Sequence, residues 1–272
     1  MASEFELDQY LSRIGYQAAL TPDRATLAAL HAAHVDAIAF EGLDPFLRRA
    51  VQIELSSVVA KLVHGRRGGY CFEQNALFKA ALAAIGFQVT GLSARVRWRS
   101  QPESPLTPRT HMVLKVDLAD GSYLADVGFG SCLLDTPLKL VPDIEQPTAM
   151  GTYRLTEADG LFWLAVKLPK GWRTMYAFDL QPQIHADYVL GSWYSSTFPQ
   201  AVFTQTLVME RLSLDRRYRL IDRRFVVEAR GGEIIAERQT TTADELAGVI
   251  DEIFGVTLPV AAEEVWRRFE TA

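Results

Sequence analysis

Most of the signals that narrow a sequence quickly are missing here. The 272 residues hold only two cysteines, Cys71 and Cys132, too few for a disulfide framework. The opening "MASEFELDQY" is acidic and polar where a secretory leader would be basic and then apolar. No apolar run approaches the roughly 20 residues that cross a bilayer. Positive charge is not in excess. The 28 Lys and Arg face 33 Asp and Glu, for a net charge of -5, which removes the electrostatic motive for binding nucleic acid or an anionic membrane. No C-x-x-C or H-E-x-x-H spacing occurs, so no metal is expected. Repeats and low-complexity segments are absent, as is the regular strand–helix alternation of a doubly wound sheet. What remains is a protein of a reducing compartment, read as cytoplasmic. Its 49% hydrophobic content is enough for one large core or two to three packed units.

The order of patterns is helices, then antiparallel strands, then strands followed by helices, which places the chain in the α+β class. Residues 5–14 put Phe5, Leu7, Leu11 and Ile14 along one side, with Gly15 as a stop. Thr21-Pro22-Asp23 predicts a helix start, with threonine as cap, proline in the first turn and aspartate at the positive end. Further helices are expected over 52–64 and 72–85, the second closed by Gly86. From Phe87 the pattern alternates as strands do. Two hairpins are expected, around Asp120-Gly121 and around 157–160, and the proline-rich 101–110 reads as a loop. Residues 185–197 read as a short helix or irregular chain, and 203–213 as strand. Thr242 with Glu245 fits a capping box ahead of a C-terminal helix. Two basic spots, Arg66-Arg67 and Arg216, Arg217, Arg223, Arg224, read as solvated surface, or else as the border of a pocket for an anionic cofactor.

Cys71 sits in "RRGGYCFEQN", directly ahead of a predicted helix. A thiol in the first turn of a helix lies near backbone N–H groups without helical partners. They favour negative charge on sulfur and can hold a developing oxyanion. Cysteine is often plain core, but Arg67, two glycines, Glu73, Gln74 and Asn75 make poor core neighbours. A nucleophilic thiol needs a base. His111 begins a strand after the proline-rich loop, and Asp126 interrupts the apolar run "YLADVGFG" on the next strand. A carboxylate in such a run needs a polar partner, and an imidazole N–H is a natural one. Equally, the two residues suit a satisfied histidine at a strand start and an aspartate in a turn. A cysteine hydrolase using the same three groups, and a catalytically silent binding module, are the competing readings.

The segments "YLSRIGY" at 10–16, "RGGYCFEQN" at 67–75, "RTHMVLKV" at 109–116 and "YLADVGFG" at 123–130 resemble, in that order, those of the arylamine N-acetyltransferases, particularly the bacterial ones. The resemblance implies a Cys-His-Asp triad of Cys71, His111 and Asp126. It implies a papain-like core in three parts: a helical bundle over 1–86, an antiparallel β-barrel over 87–200 and an α/β lid over 201–272. It implies acetyl-coenzyme A as donor and an arylamine, arylhydrazine or arylhydroxylamine as acceptor, in a monomer or homodimer. Phe40, Phe129 and Phe203 would line the acceptor cleft, with Trp98, Thr110, Gly128 and Gly130 near the coenzyme. One segment departs. The family's usual Pro-Phe-Glu-Asn-Leu is Ala39-Phe40-Glu41-Gly42-Leu43 here, which is expected to alter local rigidity rather than the chemistry and leaves acceptor preference open.

Overall fold

The computed structural model describes residues 5–101, 103–213 and 215–270. Met1–Glu4, part of the segment read as lacking a leader, and Pro102 of the predicted loop lie outside them. The first part is helical: α1 (Leu7–Arg13), α2 (Arg24–Ala37), the two-residue strand β1 (Phe40–Glu41), α3 (Leu43–Phe46), α4 (Leu55–Val59, continuing as a π turn to His64) and α5 (Cys71–Ile85). Asp23, rather than Thr21, caps α2, its carboxylate accepting from the Thr26 N–H at 2.9 Å. Pro22 therefore precedes the helix instead of opening it. Helix α5 ends at Gly86, whose φ of 106° is the left-handed geometry glycine adopts without a Cβ clash.

The middle of the chain is β2 (Gln88–Val96), β3 (Arg109–Leu118), β4 (Gly121–Ala125), β5 (Leu138–Lys139), β6 (Glu145–Pro147), β7 (Thr152–Ala158), β8 (Leu161–Leu168) and β9 (Gly171–Phe178). They form one antiparallel sheet in the order β5-β4-β3-β2-β9-β8-β7-β6, curled into a nearly closed barrel. Strand ladders do not join its two edges. A side chain does: the Gln146 carboxamide accepts from the Lys139 N–H at 2.8 Å and donates to the Lys139 carbonyl at 2.9 Å, reproducing a backbone pair.

The chain then forms α6 (His185–Thr197) and α7 (Val202–Gln205), so 185–197 is helical and Phe203–Gln205 is helix rather than strand. Proline at 199 and the Thr204 hydroxyl, which donates to the Ala201 carbonyl at 2.9 Å, favour a tight turn there over an extended chain. Strands β10 (Val208–Ser213), β11 (Arg216–Ile221), β12 (Arg224–Glu228) and β13 (Ile234–Gln239) follow, then α8 (Ala243–Gly248, with a π turn to Ile253) and α9 (Ala262–Glu270). The Thr242 hydroxyl caps α8, while the Glu245 carboxylate reaches back to the Thr241 N–H. The second sheet runs β1-β10-β11-β12-β13. It borrows β1 from the helical part, with Phe40 opposite Glu210.

Three apolar cores result. One joins α1, α2, α4 and α5 to one face of β3 and β4, one fills the barrel, and one lies between the second sheet and α3, α8 and α9. Each fully buried Leu or Phe in them contributes about 1.5–3 kcal/mol. Phe40 and Cys71 belong to the first core, Phe129 to the second and Ala39 and Leu43 to the third. The segments bearing the candidate site residues therefore converge where the three cores meet. No helix among the described residues is long and apolar enough to cross a membrane.

Candidate active site

Cys71 is the first residue of α5 and is buried. Its turn is fixed from behind. The Glu73 carboxylate accepts from the Tyr70 N–H at 3.1 Å and pairs with Lys61 at 2.7 Å. Lys61 also pairs with Asp44 at 2.7 Å, and Arg67 binds Glu41 at 2.7 Å and Asp44 at 3.1 Å. Glu41 in turn accepts from the Leu43 N–H at 2.7 Å. Burial alone would lower the Lys61 pKa, but Glu73, Glu41 and Asp44 push it above its ordinary value. Arg67 is thus part of a buried ionic cluster, which corrects its reading as surface charge; Arg66 beside it is exposed. Arg217 is corrected in the same way. It is buried, lies 3.1 Å from Glu210 and donates to the Leu133 carbonyl at 3.0 Å.

His111 lies on β3 and Asp126 just past the end of β4. Both are buried, with His111 Nε2 2.7 Å from Asp126 Oδ2. That contact commits Nε2 and leaves Nδ1 as the ring nitrogen available to the thiol. The Cys71 Sγ lies 3.7 Å from the Thr110 carbonyl, next to His111. Burial opposes a charge on His111, but the Asp126 carboxylate, helped by Cys71, outweighs it and raises the pKa to about 10. Burial likewise opposes the charge on Asp126, yet His111, Asn75 and the Gly128 N–H hold its pKa below the usual carboxylate value. The imidazole is therefore poised as an imidazolium at neutral pH.

Several supporting groups were not singled out by the sequence patterns. Asn75 Nδ2 donates to Asp126 Oδ1 at 2.9 Å and to the Met112 carbonyl at 2.8 Å, while its Oδ1 accepts from the Val127 N–H. One helical turn separates Asn75 from Cys71, so their shared face is the signal that could have found it. The Asp126 N–H donates to His31 Nε2 at 3.4 Å. Burial lowers the His31 pKa to about 4 despite Asp126 nearby, so the ring stays neutral and keeps its acceptor nitrogen. The Tyr176 ring lies 4.9 Å from that of His111. Its buried hydroxyl faces Asp126, whose charge adds to burial in keeping the phenol protonated. Nothing local in the sequence marks His31 or Tyr176, because both arrive by tertiary packing.

Cys71 and His111 open onto a cavity of about 310 Å³. Its lining includes Phe40, Phe129, Phe203, Trp98, Thr110, Gly128 and Gly130; Asp126 stands behind His111. The two glycines permit close approach rather than mobility. A Cβ at Gly128 would stand 2.7 Å from the Cys71 Cα, and one at Gly130 would stand 2.1 Å from the Phe40 ring. Arg99 and Arg219 also line the cavity, and no aspartate or glutamate does among the described residues. No group of three or more His, Cys, Asp or Glu among them is arranged to hold a metal ion.

Residues 23–263 match the model of a family described as N-acetyltransferase. The chain is 38% identical over 250 residues to the arylamine N-acetyltransferase of Escherichia coli K12, covering 92% of this chain and 88% of that one. It is 39% identical over 259 residues to the arylamine N-acetyltransferase of Mycolicibacterium smegmatis, covering 93% and 92%. The chain belongs to the arylamine N-acetyltransferase family. The fold agrees along nearly all of the chain. The Mycobacterium marinum arylamine N-acetyltransferase in complex with CoA superposes with a TM-score of 0.93 at 33% identity, covering 98% of this chain and 99% of that one. Membership makes this chain an acyltransferase, and the helical part, barrel and α/β part are those of the family.

Proposed function

We propose that this chain moves an acetyl group from acetyl-coenzyme A to the nitrogen of arylamines and arylhydrazines, or the oxygen of arylhydroxylamines, with Cys71 carrying the group between two half-reactions. The observation that carries this reading is the buried Cys71–His111–Asp126 constellation opening onto an apolar, cationic cleft. In the first half-reaction the Cys71 sulfur, paired with imidazolium His111, attacks the thioester carbonyl. The positive end of α5 stabilises the tetrahedral oxyanion. The carbon–sulfur bond to coenzyme A breaks, and His111 supplies the proton for its thiolate. In the second, the amine attacks acetyl-Cys71, His111 takes the amine proton, and Cys71 is released. Asp126 keeps His111 in the tautomer and orientation that both steps need.

Arg99 and Arg219 suit the phosphates of coenzyme A, with Trp98, Thr110 and the backbone at Gly128 and Gly130 as its expected neighbours. Phe40, Phe129 and Phe203 favour a flat apolar acceptor and limit the water that would hydrolyse the intermediate. A cytoplasmic setting suits a reaction that requires Cys71 as a free thiol. Intact-protein mass spectrometry after brief mixing with acetyl-coenzyme A, followed by peptide mapping, tests the reading. The expected result is one acetyl group on Cys71, discharged by an arylamine. Discharge in water as fast as in amine would make the protein a hydrolase. Failure to release coenzyme A would exclude acetyl-coenzyme A as donor.

A further inference from the structure

Gly42 lies behind Phe203, a residue that lines the cavity. A Cβ built on Gly42 would stand 3.3 Å from Phe203 Cδ1, 3.8 Å from Phe203 Cβ and 3.7 Å from the Val208 carbonyl oxygen. Phe203 lines the cavity and Gly42 does not, so the ring lies between Gly42 and the acceptor space. The ring has little room elsewhere. It packs against Phe40 with centroids 5.7 Å apart and edge-on to Tyr70 at 5.9 Å. Its helix α7 is pinned by the Thr204 hydroxyl, which donates to the Ala201 carbonyl at 2.9 Å. Phe40 and Tyr70 occupy two sides of the ring, and the cavity is the open side toward which a side chain at position 42 is expected to press it.

The backbone gives no other reason for glycine here. Gly42 has φ of -112°, a value open to any residue. It also occupies the N-cap position of α3, where asparagine does at least as well as glycine. We propose that Gly42 is a specificity-determining residue: its missing side chain lets Phe203 withdraw from the cleft, which shifts this chain's preference toward wider acceptors relative to single-ring ones. The proposal rests on the acetyl-transfer reading and extends it to acceptor size. It differs from the expectation that the Gly42 departure acts through loop rigidity. Gly42 is held in its strand pairing by an N–H bond to the Val208 carbonyl at 3.0 Å, and the consequence falls on Phe203.

The test uses the full chain and its Gly42→Ala, Gly42→Asn, Phe203→Ala and Gly42→Asn/Phe203→Ala variants. For each, kcat/KM is measured with 4-methoxyaniline and with 2-aminofluorene as acceptors, and formation of acetyl-Cys71 from acetyl-coenzyme A is followed separately. Crowding a packed aromatic wall typically changes discrimination by about tenfold. The expected ratio of 2-aminofluorene to 4-methoxyaniline efficiency falls a few-fold in Gly42→Ala and about tenfold in Gly42→Asn. Gly42→Asn in the Phe203→Ala background should leave the ratio unchanged, because the ring through which the substitution acts has been removed. A ratio that stays constant in the single Gly42 variants, or an equal drop with and without Phe203, overturns the proposal. A wild-type protein that forms no acetyl-Cys71 and releases no coenzyme A overturns the underlying reading instead.

Discussion

Two buried ionic groups flank the first turn of α5, and they are built differently. Behind it, Lys61 and Arg67 are locked among Glu41, Asp44 and Glu73. Every cation there is a lysine or arginine, whose proton does not move at ordinary pH. In front of it, Asp126 is paired with a histidine beside a thiol. There the proton has somewhere to go, since an imidazolium beside a thiol can pass its proton to a departing group and take one back. Both sites carry the desolvation cost of buried charge. The first uses fixed charges to hold a loop in place, and the second keeps one charge movable for chemistry.

The contrast is sharpest in variants. Cys71→Ser should lose turnover by about 10⁴-fold or more, with a thermal midpoint close to that of the wild type. Near-normal rates would remove Cys71 from the mechanism. Asp126→Asn should cost about 10⁴-fold in kcat, because asparagine no longer holds His111 in the right tautomer, together with stability lost from a broken buried pair. An unchanged rate and melting temperature would sink its assignment. Lys61→Met should do the reverse, destabilising by about 3–5 kcal/mol through unpaired buried carboxylates while the folded fraction acetylates Cys71 within about threefold of the normal rate. Loss of acetylation per folded molecule would show that the rear cluster participates in the chemistry after all.

The two groups also separate by pH. His111 rises from 6.5 to about 10 on folding, so its contribution to stability is complete below pH 6.5 and fades as pH rises through about 10. Asp44 is held low mainly by Lys61 and Arg67, against the opposing effect of burial. Its contribution is present above pH 3.8 and is lost on acidification. Urea titrations from pH 6 to 10 should therefore show an alkaline decline that disappears in His111→Gln and persists in Lys61→Met. Persistence in His111→Gln would assign the decline to another group. The smallest effect expected is for Gln146→Ala, about 1 kcal/mol with normal kinetics, measured by denaturation and steady-state rates. A kinetic defect there would mean that the barrel seam reaches the active site.

Local chemistry made part of this legible. The helix around Cys71 shows in its glycine pair, apolar spacing and terminal Gly86, and the β3–β4 hairpin in Asp120-Gly121. Other features depend on residues far apart in sequence. Nothing near Phe40 announces that it pairs with β10, some 170 residues later. Arg67 and Arg217 look like surface because their acidic partners come from other elements. The stretch from Phe203 reads as strand on its composition, but a preceding proline and a threonine hydroxyl turn its first three residues into helix. The apolar and glycine residues singled out around the triad do line one cavity, but sequence held no clue that Gly128 and Gly130 are small because Cys71 and Phe40 press against them.

The gap in the barrel falls between β5 and β6, which are neighbours in sequence as well as in space. The sheet grows outward from the β2–β3 pair in two directions, through β4 to β5 and through β9, β8 and β7 to β6. Its two free ends are then joined by a few residues of chain, so bringing them together costs little loop entropy. The Gln146 bridge can form last in folding and open first afterwards without breaking a strand ladder. The seam is thus the natural expansion joint of the barrel. Amide exchange at the Lys139 N–H should be faster than on β2 and β3, which have strands on both sides.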